Sequence, residues 1–147
     1  MEALIQEKLH EIEKRENCRI LLAVESGSRA WGFASPDSDY DVRFIYVRDK
    51  ESYLRLNRPR DVIELPINDV LDINGWDVEK TLKLLHKSNP NVFEWFSSPV
   101  IYKTTPFAEQ FKPVMRHYFS SKSGLWHYQM SRKAPAFRHG DIRHTLY

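Results

Sequence analysis

The chain has one cysteine, Cys18, which excludes an internal disulfide and any cysteine-based zinc cluster and suits a reducing compartment. It also lacks an apolar run approaching the roughly 20 residues needed to cross a bilayer. The N-terminal stretch "MEALIQEKLHEIEKRENC" carries charges throughout, where a signal peptide would have an apolar core. A cytoplasmic location without membrane contact is therefore expected. The six histidines show no metal-ligand spacing: His139 and His144 stand five apart, off a common helical face. No internal repeat or low-complexity tract is present. What remains is 147 residues, 41% hydrophobic and 13% aromatic, enough for one compact domain with a core of its own.

Charge is unevenly spread. From Gln110 to Tyr147 seven Lys and Arg residues face a single acid, Asp141, giving +6, so the rest of the chain holds −4 of the net +2. This basic tail is interleaved with Tyr118, Phe119, Trp126, Tyr128 and Phe137, a mixture suited to phosphates and bases. The same residues would equally serve a solvated helix surface with its aromatics turned inward. The chain ends at "DIRHTLY" with apolar residues still unassigned to an element, and is expected to be a fragment or the product of a truncated gene.

Ile5, Leu9 and Ile12 recur at helical spacing, predicting an amphipathic helix over about 2–16. "ILLAV" (Ile20 to Val24) reads as a central strand, Asp39 to Val47 as a second, and "RDVIELPINDVLDI" as one or two more, interrupted at Pro66. Asn74 and Asp77 predict a helix start, followed by Val78, Leu82 and Leu85 and stopped near Pro90. "NVFEWF", "FAEQFKPVMRHYF" and "SGLWHYQM" predict further helices.

Within "VESGSRAWGFASPDSDYDVRFIYV" a small-residue turn precedes three aspartates at alternate positions, Asp37, Asp39 and Asp41. An EF-hand loop would need Gly and Glu where Val42 and Arg48 stand, and a P-loop would need Lys and Ser/Thr where Phe33 and Ala34 stand. Nor is Gly27-Ser28-Arg29 a nucleophile elbow. Asp37, after Pro36, suits a turn residue. Asp39 and Asp41 differ, because a strand's period of two puts both carboxylates on one face, where they repel unless a cation joins them. Mg²⁺ suits that place, since it accepts one or two carboxylates and keeps waters for substrate phosphates. A Gly-Ser turn that lets backbone N–H groups and the Ser28 hydroxyl approach a triphosphate completes a constellation for two-metal phosphoryl chemistry.

This pattern resembles the DNA polymerase β-like nucleotidyltransferase superfamily, whose motif is a hydrophobic residue, Gly and Gly/Ser, a spacer, then Asp-x-Asp/Glu. Gly27, Ser28, Asp39 and Asp41 occupy the motif positions, with residues 29–38 as spacer. "ESGSRAWGFASPDSDYDVRFIYV" and "DINGWDVEKTLKLLHKSNPNVFEWFSSPVIY" together are similar to the predicted bacterial nucleotidyltransferases associated with RNA repair, called RlaP. The resemblance covers most of residues 20 to 130. It implies an α+β fold, a mixed sheet flanked by helices, with a nucleotidyltransferase domain over 1–103 and a basic, aromatic-rich, incomplete helical region over 104–147.

It also implies a third carboxylate on a later strand. Of the candidates Asp61, Glu64, Asp69 and Asp72, Asp72 is favoured, because "LDI" reads as a strand end before a helix start and the family has an acid there; Asp61 and Glu64 stay open. The implied chemistry is transfer of a nucleoside monophosphate from an NTP to an acceptor hydroxyl, on RNA through the basic tail, with release of pyrophosphate. Asp39, Asp41 and Asp72 would hold two Mg²⁺ ions, or Mn²⁺ in their place. Gly27, Ser28, Arg29 and Lys80 would bind the nucleotide. Glu94 and Trp95 match the family's "NP-x-x-x-EW" stretch, where capping or packing accounts for them equally well, and His127 and Tyr128 could stack on a base. Two other classes stay open: a non-catalytic module of the same fold binding nucleotide, RNA or a protein partner, antitoxin-like or regulatory, and a plain RNA-binding module with salt-dependent affinity indifferent to the aspartates.

Overall fold

The computed structural model describes residues 1–32, 37–66, 68 and 70–118. The first helix, α1 (Glu2–Glu16), buries one stripe, Ile5, Leu9 and Ile12, and ends where Asn17 takes the left-handed conformation, φ 49°. Strand β1 (Cys18–Glu25) follows at once and runs into a turn of 3₁₀ helix at Ser28–Ala30. Next come β2 (Tyr40–Arg48), α2 (Lys50–Leu54), β3 (Val62–Glu64) and β4 (Leu71–Asp77). They are followed by α3 (Val78–His86), α4 (Pro90–Ser97), β5 (Ile101–Thr104) and α5 (Pro106–Tyr118).

The strands form one sheet in the order β3-β4-β2-β1-β5, with β2 and β4 parallel and every other pair antiparallel. It is an α+β chain built on a mixed five-stranded sheet. Period-two alternation assigns each side chain to a face. Val42, Phe44 and Tyr46 of β2 and Leu71 and Ile73 of β4 pack with the stripe of α1. On the opposite face Leu22, Val24 and Ile45 meet Trp95 of α4 and Ala108 of α5, and a second cluster joins Leu85, Val92, Phe93, Phe111 and Met115. A β-bulge between Ile20 and Leu22 lets β1 serve both cores.

Several expectations need correction. The helix does not start at Asn74: β4 continues to Asp77, whose carboxylate caps α3 by accepting the Glu79 N–H at 2.8 Å. Tertiary packing keeps this segment extended. Gly75 leaves room for the Phe44 ring, which would lie 2.2 Å from a Cβ at that position, and Trp76 stacks on Trp95 at 3.8 Å. Between the two expected helices "NVFEWF" and "FAEQFKPVMRHYF", where the sequence predicted no element, β5 adds an edge strand to β1. Beyond β5, α5 packs on the same sheet as the strands before it, through Ala108. Asp69, Phe119, His127, Tyr128 and most of the basic tail lie outside the described residues. None of the described helices is long and apolar enough to cross a membrane.

Candidate active site

Three chain segments converge where β1 ends and β2 and β4 begin. Asp41 is the second residue of β2 and Asp72 the second of β4, and the parallel register makes them direct partners. Both lie on the face opposite α1, as their neighbours Val42 and Ile73 show by packing with it. Behind Asp41 stands the Gly27 backbone: a Cβ there would lie 2.1 Å from Asp41 Oδ2. Gly27 has φ −84°, so the position demands absence of a side chain and not an unusual backbone. Ser28 follows as the first residue of the 3₁₀ turn.

Glu25, which sequence reasoning missed, organises this corner. The residue is fully buried, and its Oε2 accepts the N–H of Gly27 at 3.1 Å and of Asp41 at 2.8 Å. Oε1 accepts the Tyr102 hydroxyl of β5 at 2.8 Å, which with burial pushes the Tyr102 phenol well above its ordinary pKa. One carboxylate thus ties the turn, the head of β2 and the edge strand together. The available signal was a charged residue ending an otherwise apolar central strand.

Arg43, also missed, supplies the cation that alternating aspartates call for. Period two puts it on the Asp41 face, and its Nη2 donates to Asp72 Oδ2 at 2.8 Å while lying 4.0 Å from Asp41 Oδ1. Nη1 donates to the carbonyls of Val42 at 3.0 Å and Asp72 at 3.3 Å. The second carboxylate oxygen of Asp72, Oδ1, is buried without a hydrogen-bond partner. Buried oxygens are normally satisfied, so this one is an open acceptor. Above the same face α4 carries Glu94, half-buried between the core residues Phe93 and Trp95. Burial pushes its carboxyl above the ordinary value, and the positive charge of Arg43 partly offsets this.

The other expected site residues are placed differently. Asp39 is exposed, one residue before β2, and among the described residues no group of three or more His, Cys, Asp or Glu stands close enough to hold a metal ion. Arg29 turns inward: Nε and Nη2 donate to the Ser38 carbonyl at 3.1 and 2.6 Å, and its guanidinium lies 3.9 Å from the centre of the Tyr40 ring. It clips the spacer loop to the head of β2. Lys80 is not brought to the site. It sits on α3, beyond the far end of β4, with Asp61 at 3.9 Å, and five residues of strand put that end about 17 Å from Asp72. Lys80 and Asp61 instead line a cavity of about 340 Å³ with Arg48, Arg60 and Asp77. Glu64 is exposed on the edge strand, opposite Asn74. Of the acids considered for the third position, Asp72 is the partner of Asp41.

The donor set fits a divalent cation of modest protein coordination: two adjacent carboxylates, one with a buried open oxygen, suit Mg²⁺ with waters completing the shell. A glycine turn against an Asp-x-Asp strand head, with another carboxylate on the parallel neighbour, is the arrangement of a polymerase β-like, nucleotidyltransferase-type protein. The comparisons place the chain within that class. The family described as "RNA repair pathway DNA polymerase beta family", RlaP, matches residues 1–141, and the chain belongs to it. A curated relative, the uncharacterized protein YcgL of Bacillus subtilis (strain 168), is 49% identical over 135 residues, covering 90% of this chain and 52% of its own length. The chain therefore spans about half of that relative. No solved structure matches.

Proposed function

We propose that the chain is the catalytic half of a metal-dependent nucleotidyltransferase, moving a nucleoside monophosphate from an NTP to an acceptor hydroxyl with release of pyrophosphate. The single observation supporting this reading is the pairing of Asp41 with Asp72 beside the Gly27 turn, with Asp72 Oδ1 buried and open. Asp41 and Asp72 would hold the cation, and Asp39, exposed at the mouth, would join once a nucleotide closes the site. When bound, such a metal lowers the pKa of the acceptor hydroxyl and neutralises charge on the leaving pyrophosphate. The turn would offer the Ser28 hydroxyl to a triphosphate, the Gly27 N–H being held by Glu25. Glu25 keeps that turn and Asp41 in register. RNA is the proposed acceptor, on the family's description and the +6 tail.

The experiment is calorimetric titration of the four NTPs, with and without Mg²⁺, into the chain and its Asp39→Asn/Asp41→Asn variant, followed by transfer of labelled NMP to RNA. Mg²⁺-dependent binding that the variant loses is expected, and Asp41→Asn alone should abolish transfer with the fold intact. Turnover retained by Asp41→Asn would sink the metal mechanism. One observation favours a second reading, a non-catalytic binding module: Arg43 already balances the acids without a metal. That reading predicts nucleotide or RNA binding indifferent to Mg²⁺.

A further inference from the structure

A cation cannot use Asp72 fully while Arg43 remains where it is. Nη2 occupies Asp72 Oδ2, and a guanidinium beside an incoming divalent ion repels it. Displaced, Arg43 would be a charge on a largely covered surface, its side chain only 19% exposed, and such a charge is costly unless it gains a new acceptor. The structure contains an unused one. The Glu94 carboxylate is half-buried and, among the described residues, makes neither hydrogen bond nor ion pair. Its helix lies over the Arg43 face of the sheet, because its neighbour Trp95 packs with Ile45, two residues on from Arg43 on that face, and the Arg43 charge acts on it. Its helix cannot easily drift, because Trp95 is stacked on Trp76 and Val92 and Phe93 are in the core. A half-buried carboxylate without a partner is hard to explain by stability.

We propose that Glu94 is a positioning residue, the second partner of Arg43: Arg43 pairs with Asp72 when the site is empty and transfers to Glu94 when a divalent cation takes Asp72. This rests on the metal-dependent reading above. It gives the acidic pair two balanced states, one closed by the guanidinium and one open to the ion, with Glu94 setting the equilibrium between them. The role differs from ligation, since Glu94 would act on the ion through Arg43 alone.

The test is a double-mutant cycle read by Mn²⁺ binding, followed by electron paramagnetic resonance of the free ion, on wild type, Glu94→Gln, Arg43→Gln and the double variant. Thermal melts of each would verify folding. Glu94→Gln should weaken Mn²⁺ about tenfold in the wild-type background, a coupling of ordinary size. Arg43→Gln should tighten Mn²⁺ several-fold, and adding Glu94→Gln to it should change affinity less than about twofold, because the guanidinium through which Glu94 acts is gone. Glu94→Asp should recover part of the loss. Equal weakening by Glu94→Gln in both backgrounds would overturn the proposal and make Glu94 a direct influence on the ion. No effect in the wild-type background would overturn it as well. Failure of all four chains to bind Mn²⁺ would instead remove the metal-dependent reading on which the proposal stands.

Discussion

Replacing Glu25 separates its shape from its hydrogen bonds. In Glu25→Ala the N–H groups of Gly27 and Asp41 lose their acceptor, as does the Tyr102 hydroxyl. Leaving a buried donor unpaired costs roughly 1–3 kcal/mol. Tyr102 is only partly buried, so its hydroxyl can turn to water and the two backbone donors dominate, at about 3 kcal/mol together. The vacated space adds about 1 kcal/mol, and removing a buried charge returns a similar amount. The net expectation is about 3 kcal/mol, a large share of the stability of a small domain. Glu25→Gln keeps the shape, its amide oxygen still accepting both N–H groups and its amide nitrogen facing Tyr102, and should cost about 1 kcal/mol. With a urea slope of about 2 kcal/mol/M, tryptophan fluorescence should place the Ala midpoint about 1.5 M below wild type and the Gln midpoint about 0.5 M below. Midpoints for the two variants within about 0.2 M of each other would refute the assignment of Glu25 as the acceptor that holds this corner.

Gly27→Ala puts a methyl group where Asp41 Oδ2 lies, so the carboxylate must leave its position; Mn²⁺ or Mg²⁺–NTP binding should fall at least tenfold, with a stability loss of about 1–3 kcal/mol. Unchanged binding would show that Asp41 is not needed where it stands. Burial raises the Cys18 thiol from 9.0 to about 11, so at pH 8 about a hundredfold less thiolate is present, and a thiol reagent should react slower by that order than with a free cysteine peptide. Glu13 is raised by burial but drawn net below its ordinary 4.5 by its hydrogen bond and ion pair with Lys103, 2.9 Å away. A carboxyl depressed on folding stabilises above its unfolded pKa and loses that contribution as pH falls through the folded one. Lys103→Met should therefore lower the melting temperature at pH 7, by an amount equivalent to about 1 kcal/mol, and the gap to wild type should shrink progressively as pH falls below 4.5.

The residues alone were enough to place α1, β1 and β2, because Ile5, Leu9 and Ile12 recur at helical spacing, the apolar run after Arg19 is unbroken and the one after Asp41 is interrupted by Arg43 alone. They also singled out Gly27, Ser28, Asp39 and Asp41, since a glycine turn and alternating carboxylates are local patterns with local physical meaning. Among the acids for the third position, "LDI" pointed to Asp72 for a partly mistaken reason, a helix start at Asn74 that the structure moves to Val78. Local capping signals cannot see that Phe44 will lie over Gly75 or that Trp76 will stack on Trp95. Tertiary structure alone decided the parallel pairing of β2 with β4, and with it the adjacency of Asp41 and Asp72. It also decided that Arg43 joins those acids, that Glu25 points back to Gly27, that α4 with Glu94 packs over the Arg43 face of the sheet, and that Lys80 belongs to the opposite end of the sheet. A sequence prescribes what each segment can form through its periodicity. Which charges become neighbours depends on strand register between segments some thirty residues apart, and register is set by packing of the whole core.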